Sequence, residues 1–366
     1  MKQFAAFVRK EFCHIFRDRR TMLILLAMPV VQIILFGFAI TTEVKDVRTA
    51  VVDPSDDVLT RRIISQIDAS EYFRVTEHLS SPLEAEQAFR RGEIDLAVVF
   101  SPRFMDRLPA GEARIQLISD ATDPNMAAQQ SGYASSIILS AGQQWLSPGQ
   151  GVAAVVPRLK LLYNPGMLSA YNFVPGVMGL ILMLLCAMMT SISIVREKET
   201  GTMEVLLVSP MRPLHVILAK LVPYFVLSCV NLLTILLLSV FVLQVPVAGS
   251  LSGLAAVSGL FIVVSLSLGL LISTLTQTQV AAMLVSGLVL MMPTMLLSGM
   301  IFPIESMPVL LQGLSVLVPA RWYISAVRKL MIMGVDVGYV WQEVGVLLLM
   351  AVLFVSISLK KFKDRL

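Results

Sequence analysis

Fifteen residues between two long apolar runs hold the side chains best suited to recognition: Arg196 to Pro210 reads R-E-K-E-T-G-T-M-E-V-L-L-V-S-P. Glu197, Glu199 and Glu204 can pair with basic groups on a partner. Met203, Leu206 and Leu207 fall within one helical repeat and offer an apolar knob. Gly201 permits a sharp change of direction as the chain leaves the preceding run, and Pro210 and Pro213 end the segment. Such residues dock and transmit force; they do not make or break bonds. A solvated loop with incidental charges is the alternative, but acidic side chains in a segment otherwise flanked by basic ones favour docking.

Other chemistry finds little support. His14, His78 and His215 lie in separate segments without metal-ligand spacing or a Cys or Ser partner. A phosphate-binding loop needs glycines ending in Lys and Ser or Thr, and Gly-Lys never occurs in the chain. Leu139-Ser140-Ala141-Gly142-Gln143 resembles an ATPase signature loop only superficially, since no partner motif accompanies it. The sequence therefore predicts no cofactor and no metal bound by this chain, and no catalytic residue. Cys13, Cys186 and Cys229 read as buried small hydrophobes, and none lies where a disulfide framework could form.

The elements that must position the charged segment are membrane helices. Hydrophobic residues make up 56% of the 366 and charged residues 15%, against about 25% charged in soluble domains. Six stretches reach the ~20 apolar residues that a span needs: 21–40, 173–195, 221–243, 253–275, 280–301 and 340–359. Only the last contains a charge, Glu343, near enough to its end to reach headgroups. The first is too long for a signal-peptide core and lacks a small-residue cleavage site. Gln32, Asn231, Thr190 and Ser265 read as helix-to-helix hydrogen bonds, and the many Met residues as ordinary packing or adaptable apolar recognition. Without a carboxylate, Lys or His in mid-membrane, a proton-driven carrier is disfavoured.

Basic residues cluster beside the spans: Lys2, Arg9, Lys10, Arg17, Arg19 and Arg20, then Arg196, Lys198, Arg212 and Lys220, then Lys360, Lys361, Lys363 and Arg365. The positive-inside rule places these segments, and so both termini, in the cytoplasm. They flank membrane helices, so the net charge of +4 gives no reason to invoke nucleic acid. Residues 1–20, with Phe4, Phe7, Val8, Phe12, Ile15 and Phe16 at helical spacing, read as a cytoplasmic interfacial amphipathic helix in contact with membrane lipids.

The long insertion 41–170 holds 12 Lys and Arg against 16 Asp and Glu, as a translocated domain should. Strand patterns fall at Val47 to Asp53, Tyr72 to Thr76, Ile94 to Phe100, Arg114 to Ser119 and Val155 to Tyr163, and helical ones at Val58 to Ile67, from Ser81-Pro82-Leu83-Glu84, and from Asp123-Pro124 to Trp145. Residues 302–339, with three prolines and two apolar stretches too short to span, read as a periplasmic re-entrant segment. The expected fold is a polytopic α-helical membrane protein with six transmembrane helices and an inserted mixed α/β extracytoplasmic domain. Residues 360–366 form a cytoplasmic tail.

This organisation resembles the type-2 membrane subunit of ATP-binding cassette exporters, and in particular bacterial inner-membrane drug exporter permeases with a large periplasmic domain. The resemblance covers nearly the whole chain. Arg9-Lys10-Glu11, Arg17-Asp18-Arg19-Arg20, Arg196 to Pro210 and Ser298-Gly299-Met300-Ile301-Phe302-Pro303-Ile304-Glu305 are similar to the family's K-E, R-D, R-E-x-x-x-G-T-x-E-x-L-L-x-S-P and S-G-x-x-F-P patterns. It implies that residues 196–213 form a cytoplasmic coupling helix, with Arg196, Glu197, Glu199, Thr200, Gly201, Thr202, Glu204, Leu206 and Leu207 docking into a separate ATPase dimer that binds the ATP and Mg. It also implies a substrate path between this chain and a second copy or a homologous permease, with Pro293, Met295, Ser298, Gly299 and Glu305 near its external end. The function implied is multidrug efflux, the export of an apolar or amphiphilic compound, and a periplasmic adaptor is a further candidate partner. Alternatives are an ATPase-linked mechanotransmitter that moves its external domain without transport, and a membrane sensor.

Overall fold

The computed structural model describes residues 2–39, 46–120, 124–145, 164, 168–201 and 213–363. The chain divides into two compact units, one of Met1–Thr41 with Gly166–Leu366 and the other of Thr42–Pro165.

The first unit begins with α1 (Lys2–Arg17) and α2 (Arg19–Ala39), separated by Asp18. Helix α1 is amphipathic: Glu11 and Ile15 are buried while Phe16 is 57% exposed. Helix α2 carries an apolar stretch at Leu25–Phe36.

In the second unit the sheet order is β2-β1-β3-β4, from β1 (Val47–Val52), β2 (Phe73–Leu79), β3 (Leu96–Phe100) and β4 (Ile115–Ser119). β1 runs parallel to β2 and β3, and β4 is antiparallel to β3. Helix α3 (Val58–Asp68) packs against α6 (Pro124–Trp145), while α4 (Pro82–Arg91) sets Ala85 and Ala88 against Ala50, Val52 and Ala97. Central strand β1 is buried nearly throughout, as a strand sandwiched by helices must be.

Local chemistry fixes the helix ends. Ser81 Oγ accepts from Glu84 N at 3.4 Å, and Glu84 Oε2 accepts from Ser80 N at 2.9 Å, one residue short of a full capping box. The full box is at Asp57 and Thr60. Asp57 Oδ2 also accepts from Met105 N at 2.9 Å, tying the start of α3 to the short helix α5 (Phe104–Arg107). Arg48 forms a two-point pair with Asp95, Nε to Oδ2 at 2.9 Å and Nη2 to Oδ1 at 2.7 Å, joining the first and third strands.

Back in the first unit, α7 (Ala170–Glu199), α8 (Pro213–Phe241) and α9 (Leu251–Leu275) follow in order. Next come α10 (Gln279–Leu284), a π-helical turn Val285–Val289 and α11 (Leu290–Leu297), together one apolar rod. Helices α12 (Val309–Ser315) and α13 (Pro319–Val327), the latter continued by a π turn Arg328–Ile332, precede α14 (Trp341–Lys363). Among the described residues five helices are long and apolar enough to cross a bilayer, and a sixth is counted if Val309–Ser315 and Pro319–Ile332, which meet at 86°, form one span.

Helix α7 is apolar all round and correspondingly central, with 72% of its apolar window buried, against 17% for Gln279–Leu297. Close approach is bought by small residues, as between membrane helices generally. A Cβ on Gly269 would run into the Ala187 backbone carbonyl, and one on Gly179 would sit 2.8 Å from Ile324. Tyr323 of α13 is fully buried, stacked on Phe261 at 4.0 Å, and within 2.9 Å of Ser258 Oγ.

Of the uncharged polar residues expected to bond between helices, Ser265, Thr190 and Asn231 do not do so among the described residues. Ser265 donates to Phe261 O in its own helix, and buried Thr190 Oγ1 and Asn231 Oδ1 have no hydrogen-bond partner among the described residues. Cys186 Sγ and Ser228 Oγ lie 3.0 Å apart instead. Cys13 is exposed rather than buried. Glu343 does not extend to the surface: it is 4% exposed, with Oε1 2.6 Å from Lys329 Nζ and 3.0 Å from Ser325 Oγ. An uncompensated carboxylate in apolar surroundings is costly, so it stays beside a cation supplied by the neighbouring helix. The strand pattern at Val155 to Tyr163 lies outside the described residues.

Candidate functional site

The charged segment starts where α7 ends, and each residue of Glu197-Lys198-Glu199 is fastened to a different helix. Glu197 Oε1 pairs with Lys220 Nζ of α8 at 2.7 Å. Lys198 Nζ donates to Ser273 O of α9. Glu199 Oε2 accepts from the side chain of Gln279 at 2.8 Å and from its backbone N–H at 3.2 Å, at the start of α10. A carboxylate there meets the unpaired N–H groups and positive dipole end of that helix. The three side chains fan out to three helices because successive residues of a helix point about 100° apart.

Lys220 lies 3.7 Å from Glu11 Oε1 of α1 as well as beside Glu197. All three are deeply placed, with side-chain exposures of 6% for Lys220, 5% for Glu11 and 15% for Glu197. A lone charge so placed would be unstable, and the trio is held by mutual compensation. Lys10 flanks it at 3.5 Å from Glu11. The elements before and after the charged segment are thus joined to each other and to α1.

Beyond Glu199, Thr200 Oγ1 donates to Arg196 O at 2.9 Å, and Gly201 adopts φ +72°, the left-handed conformation with which helices commonly end. Arg196 is exposed. Thr202, Glu204, Leu206 and Leu207 lie outside the described residues. Of the acidic side chains expected to face a partner, Glu197 and Glu199 are therefore engaged by the chain's own helices. Their partners Lys220, Gln279 and Glu11 were missed as such; the signal was present in Lys220, a lone cation at the edge of an apolar run.

The second predicted cluster gathers at the opposite end of α7, about 40 Å away at 1.5 Å per residue. Gly299, at φ +79°, follows the rod Gln279–Leu297, and its carbonyl accepts from Arg328 Nη2 at 2.7 Å. The same nitrogen reaches Asn172 Oδ1 at 2.7 Å, at the start of α7. Ser298 is 1% exposed, and its hydroxyl and Arg328 Nε are buried without a hydrogen-bond partner among the described residues. Glu305 is exposed in a short 3-10 turn and attracts Arg328 electrostatically. Pro293 and Met295 are half-buried on α11, one to two turns earlier, and do not join this cluster. Arg328 was not anticipated, because a single Arg between apolar stretches looks like a flanking charge.

Among the described residues no group of three or more His, Cys, Asp and Glu side chains could hold a metal ion. The polar contacts at both ends join helices to one another, and the long apolar helices between them define a multi-pass membrane protein.

Comparison with known proteins gives the class its family. A model described as "ABC-2 family transporter protein" matches residues 19–360, and the chain belongs to that family. It is 31% identical over 364 residues to the "Probable multidrug ABC transporter permease YbhS" of Escherichia coli (strain K12), covering 98% of this chain and 96% of that one. It is 29% identical to the "Probable multidrug ABC transporter permease YbhR" of the same organism, over 98% and 97%. The "Linearmycin resistance permease protein LnrN" of Bacillus subtilis (strain 168) is 23% identical over 99% of this chain and 100% of its own length.

Proposed function

We propose that this chain is the non-catalytic, membrane-spanning permease subunit of an ATP-driven exporter in a bacterial inner membrane. Two copies, or one with a similar partner, form the path for an apolar or amphiphilic compound, and a separate cytoplasmic ATPase dimer supplies the energy. The names of the full-length relatives, multidrug and resistance permeases, support this substrate class. Basic residues beside the spans support a cytoplasmic location for both termini and the segment after α7, and an external one for residues 42–165.

The observation that carries the reading is the fan of Glu197, Lys198 and Glu199 onto α8, α9 and α10. A displacement applied by the ATPase to residues 202–212 reaches three membrane helices at once, and α1 through Lys220 and Glu11. Docking then belongs to Glu204, Leu206 and Leu207, while Glu197 and Glu199 distribute the force.

The test is to purify the chain with its ATPase, reconstitute both in inverted-orientation vesicles, and follow ethidium by fluorescence. ATP-dependent accumulation that disappears in a hydrolysis-dead ATPase supports the reading. Failure to form a complex with any ATPase, or accumulation driven by a proton gradient alone, overturns it.

A further inference from the structure

The two clusters lie at opposite ends of the same pair of helices, and polar or close-packed contacts join that pair along its whole length. Starting from the charged end, Glu199 accepts twice from Gln279. Eight residues back along α7, Ser191 Oγ lies 2.9 Å from Ser286 Oγ; Ser191 also donates to Met188 O, so Ser286 supplies the bridging proton. Next, Thr294 Oγ1 donates to Met183 Sδ at 3.6 Å. Further on, Gly176 leaves room for Met300, whose side chain a Cβ there would strike. Finally, Arg328 links Asn172 to Gly299 O, both at 2.7 Å. Positions descend from 199 to 183 on α7 as they climb from 279 to 294 on the rod, an antiparallel ladder that Gly176 with Met300 and Asn172 with Gly299 continue just past the rod's end.

The π turn Val285–Val289 helps keep the ladder in register. Ser286 and Thr294 are eight residues apart, which in a plain α-helix would turn them about 80° away from one face. A π turn accommodates one extra residue, and so both can address α7. Close-packed helices slide only if side-chain contacts are exchanged for an equivalent set, and sliding here breaks the Glu199, Ser191 and Thr294 hydrogen bonds together.

We propose that α7 and the rod Gln279–Leu297 travel as one strut during transport, and that Arg328 is the positioning residue that fixes the strut's far end to the π turn following α13. The inference rests on the exporter reading and deepens it. Motion entering at Glu199 arrives at Ser298-Gly299 without loss to sliding, and Arg328 passes it to the bent pair of helices that follows. Both contacts fall on one guanidinium nitrogen; a lysine ammonium has enough donors for them but a shorter stem, so it restores them in part.

The experiment uses the complex with its ATPase and the ethidium assay. In Ser191→Cys/Ser286→Cys, the native oxygens 2.9 Å apart place two thiols within disulfide range, and mass spectrometry identifies the cross-link. A strut keeps at least half its ATP-driven transport when cross-linked. A tenfold or greater loss that reductant reverses means that the helices slide, and overturns the proposal. Arg328→Gln is expected to keep complex assembly and ATP turnover within twofold while transport per ATP falls about tenfold, with Arg328→Lys intermediate. Equal falls in turnover and transport, or no fall in either, overturn the role of Arg328. Absence of ATP-driven transport in the unmodified complex counts against the exporter reading alone; loss confined to the cross-linked or Arg328 variants counts against the strut alone.

Discussion

Replacing Lys220 with methionine keeps most of the side chain's volume and removes the buried cation shared by two deeply placed carboxylates. At an effective dielectric of about 20, 2.7 Å corresponds to roughly 6 kcal/mol of attraction and 3.7 Å to roughly 4.5. Desolvation of the three groups offsets most of this, so the net worth of the trio is far smaller than the sum. Breaking a buried pair from one side is a different matter, with a cost of about 3–5 kcal/mol. All three exposures lie well under a third, and little of that is lost to solvent screening. At about 2–4 °C per kcal/mol the melting temperature should fall on the order of 10 °C. The assay is thermal unfolding in mild detergent followed by tryptophan fluorescence. The decisive control is Lys220→Met/Glu197→Gln/Glu11→Gln, which removes every charge of the trio and should recover most of the loss. Because the bridge is gone, that variant should still hydrolyse ATP with its partner but export little ethidium. A drop below 2 °C for Lys220→Met, or a triple variant no more stable than the single one, would refute the reasoning.

Further outcomes follow from individual sites. Gly269→Ala places a methyl group against the Ala187 backbone carbonyl and should cost about 1–3 kcal/mol, read from unfolding in detergent. Gly299→Ala must hold φ +79° with its Cβ 3.2 Å from Ile304, which predicts about 1 kcal/mol of destabilisation and a larger proportional loss of transport than of ATP turnover. Glu343→Gln leaves Lys329 without its anion, and should lower thermal stability unless Lys329→Met accompanies it. In the α/β unit, hydrogen bonds from Arg61 hold the Asp56 carboxyl below the usual carboxylate range. A lowered folded value means that the pair's small contribution is present at neutral pH and is lost only as pH falls below about 3.9 and through that folded value. Carboxyl NMR of Asp56 should show the depressed titration, and Arg61→Ala should abolish it.

Helices and strands were legible where periodicity and punctuation agreed. Ser81-Pro82 marks the start of α4 and Val58 that of α3; the apolar runs 173–195 and 253–275 lie within α7 and α9, while 221–243 and 280–301 overrun the ends of α8 and the rod Gln279–Leu297 by two and four residues. The two site clusters were visible as local strings, R-E-K-E-T-G and S-G-M-I-F-P. Their partners were not, because pairing across a membrane bundle leaves no periodic trace: Lys220 lies 23 positions after Glu197, and Arg328 lies 29 after Gly299 and 156 after Asn172. Charges near membrane ends were read for topology alone. That hid a second use, in which Lys220, Arg328 and Lys329 satisfy buried acceptors. Serines failed for a related reason, since Ser191 and Ser286 are as small and common in membrane helices as Ser265, and only packing decides which one meets a neighbour.

The burial of Glu11 against Lys220 also constrains how the polypeptide is made. The glutamate leaves the ribosome more than 200 residues ahead of its lysine, an interval of roughly 10–40 s at bacterial or eukaryotic synthesis rates. Until then the Glu11 carboxylate has only the exposed Lys10, 3.5 Å away, as counter-ion, and the buried cation is missing, which favours the water-facing boundary. Final seating of α1 against Lys220 therefore waits for α8, which builds an order of assembly into a single ion trio.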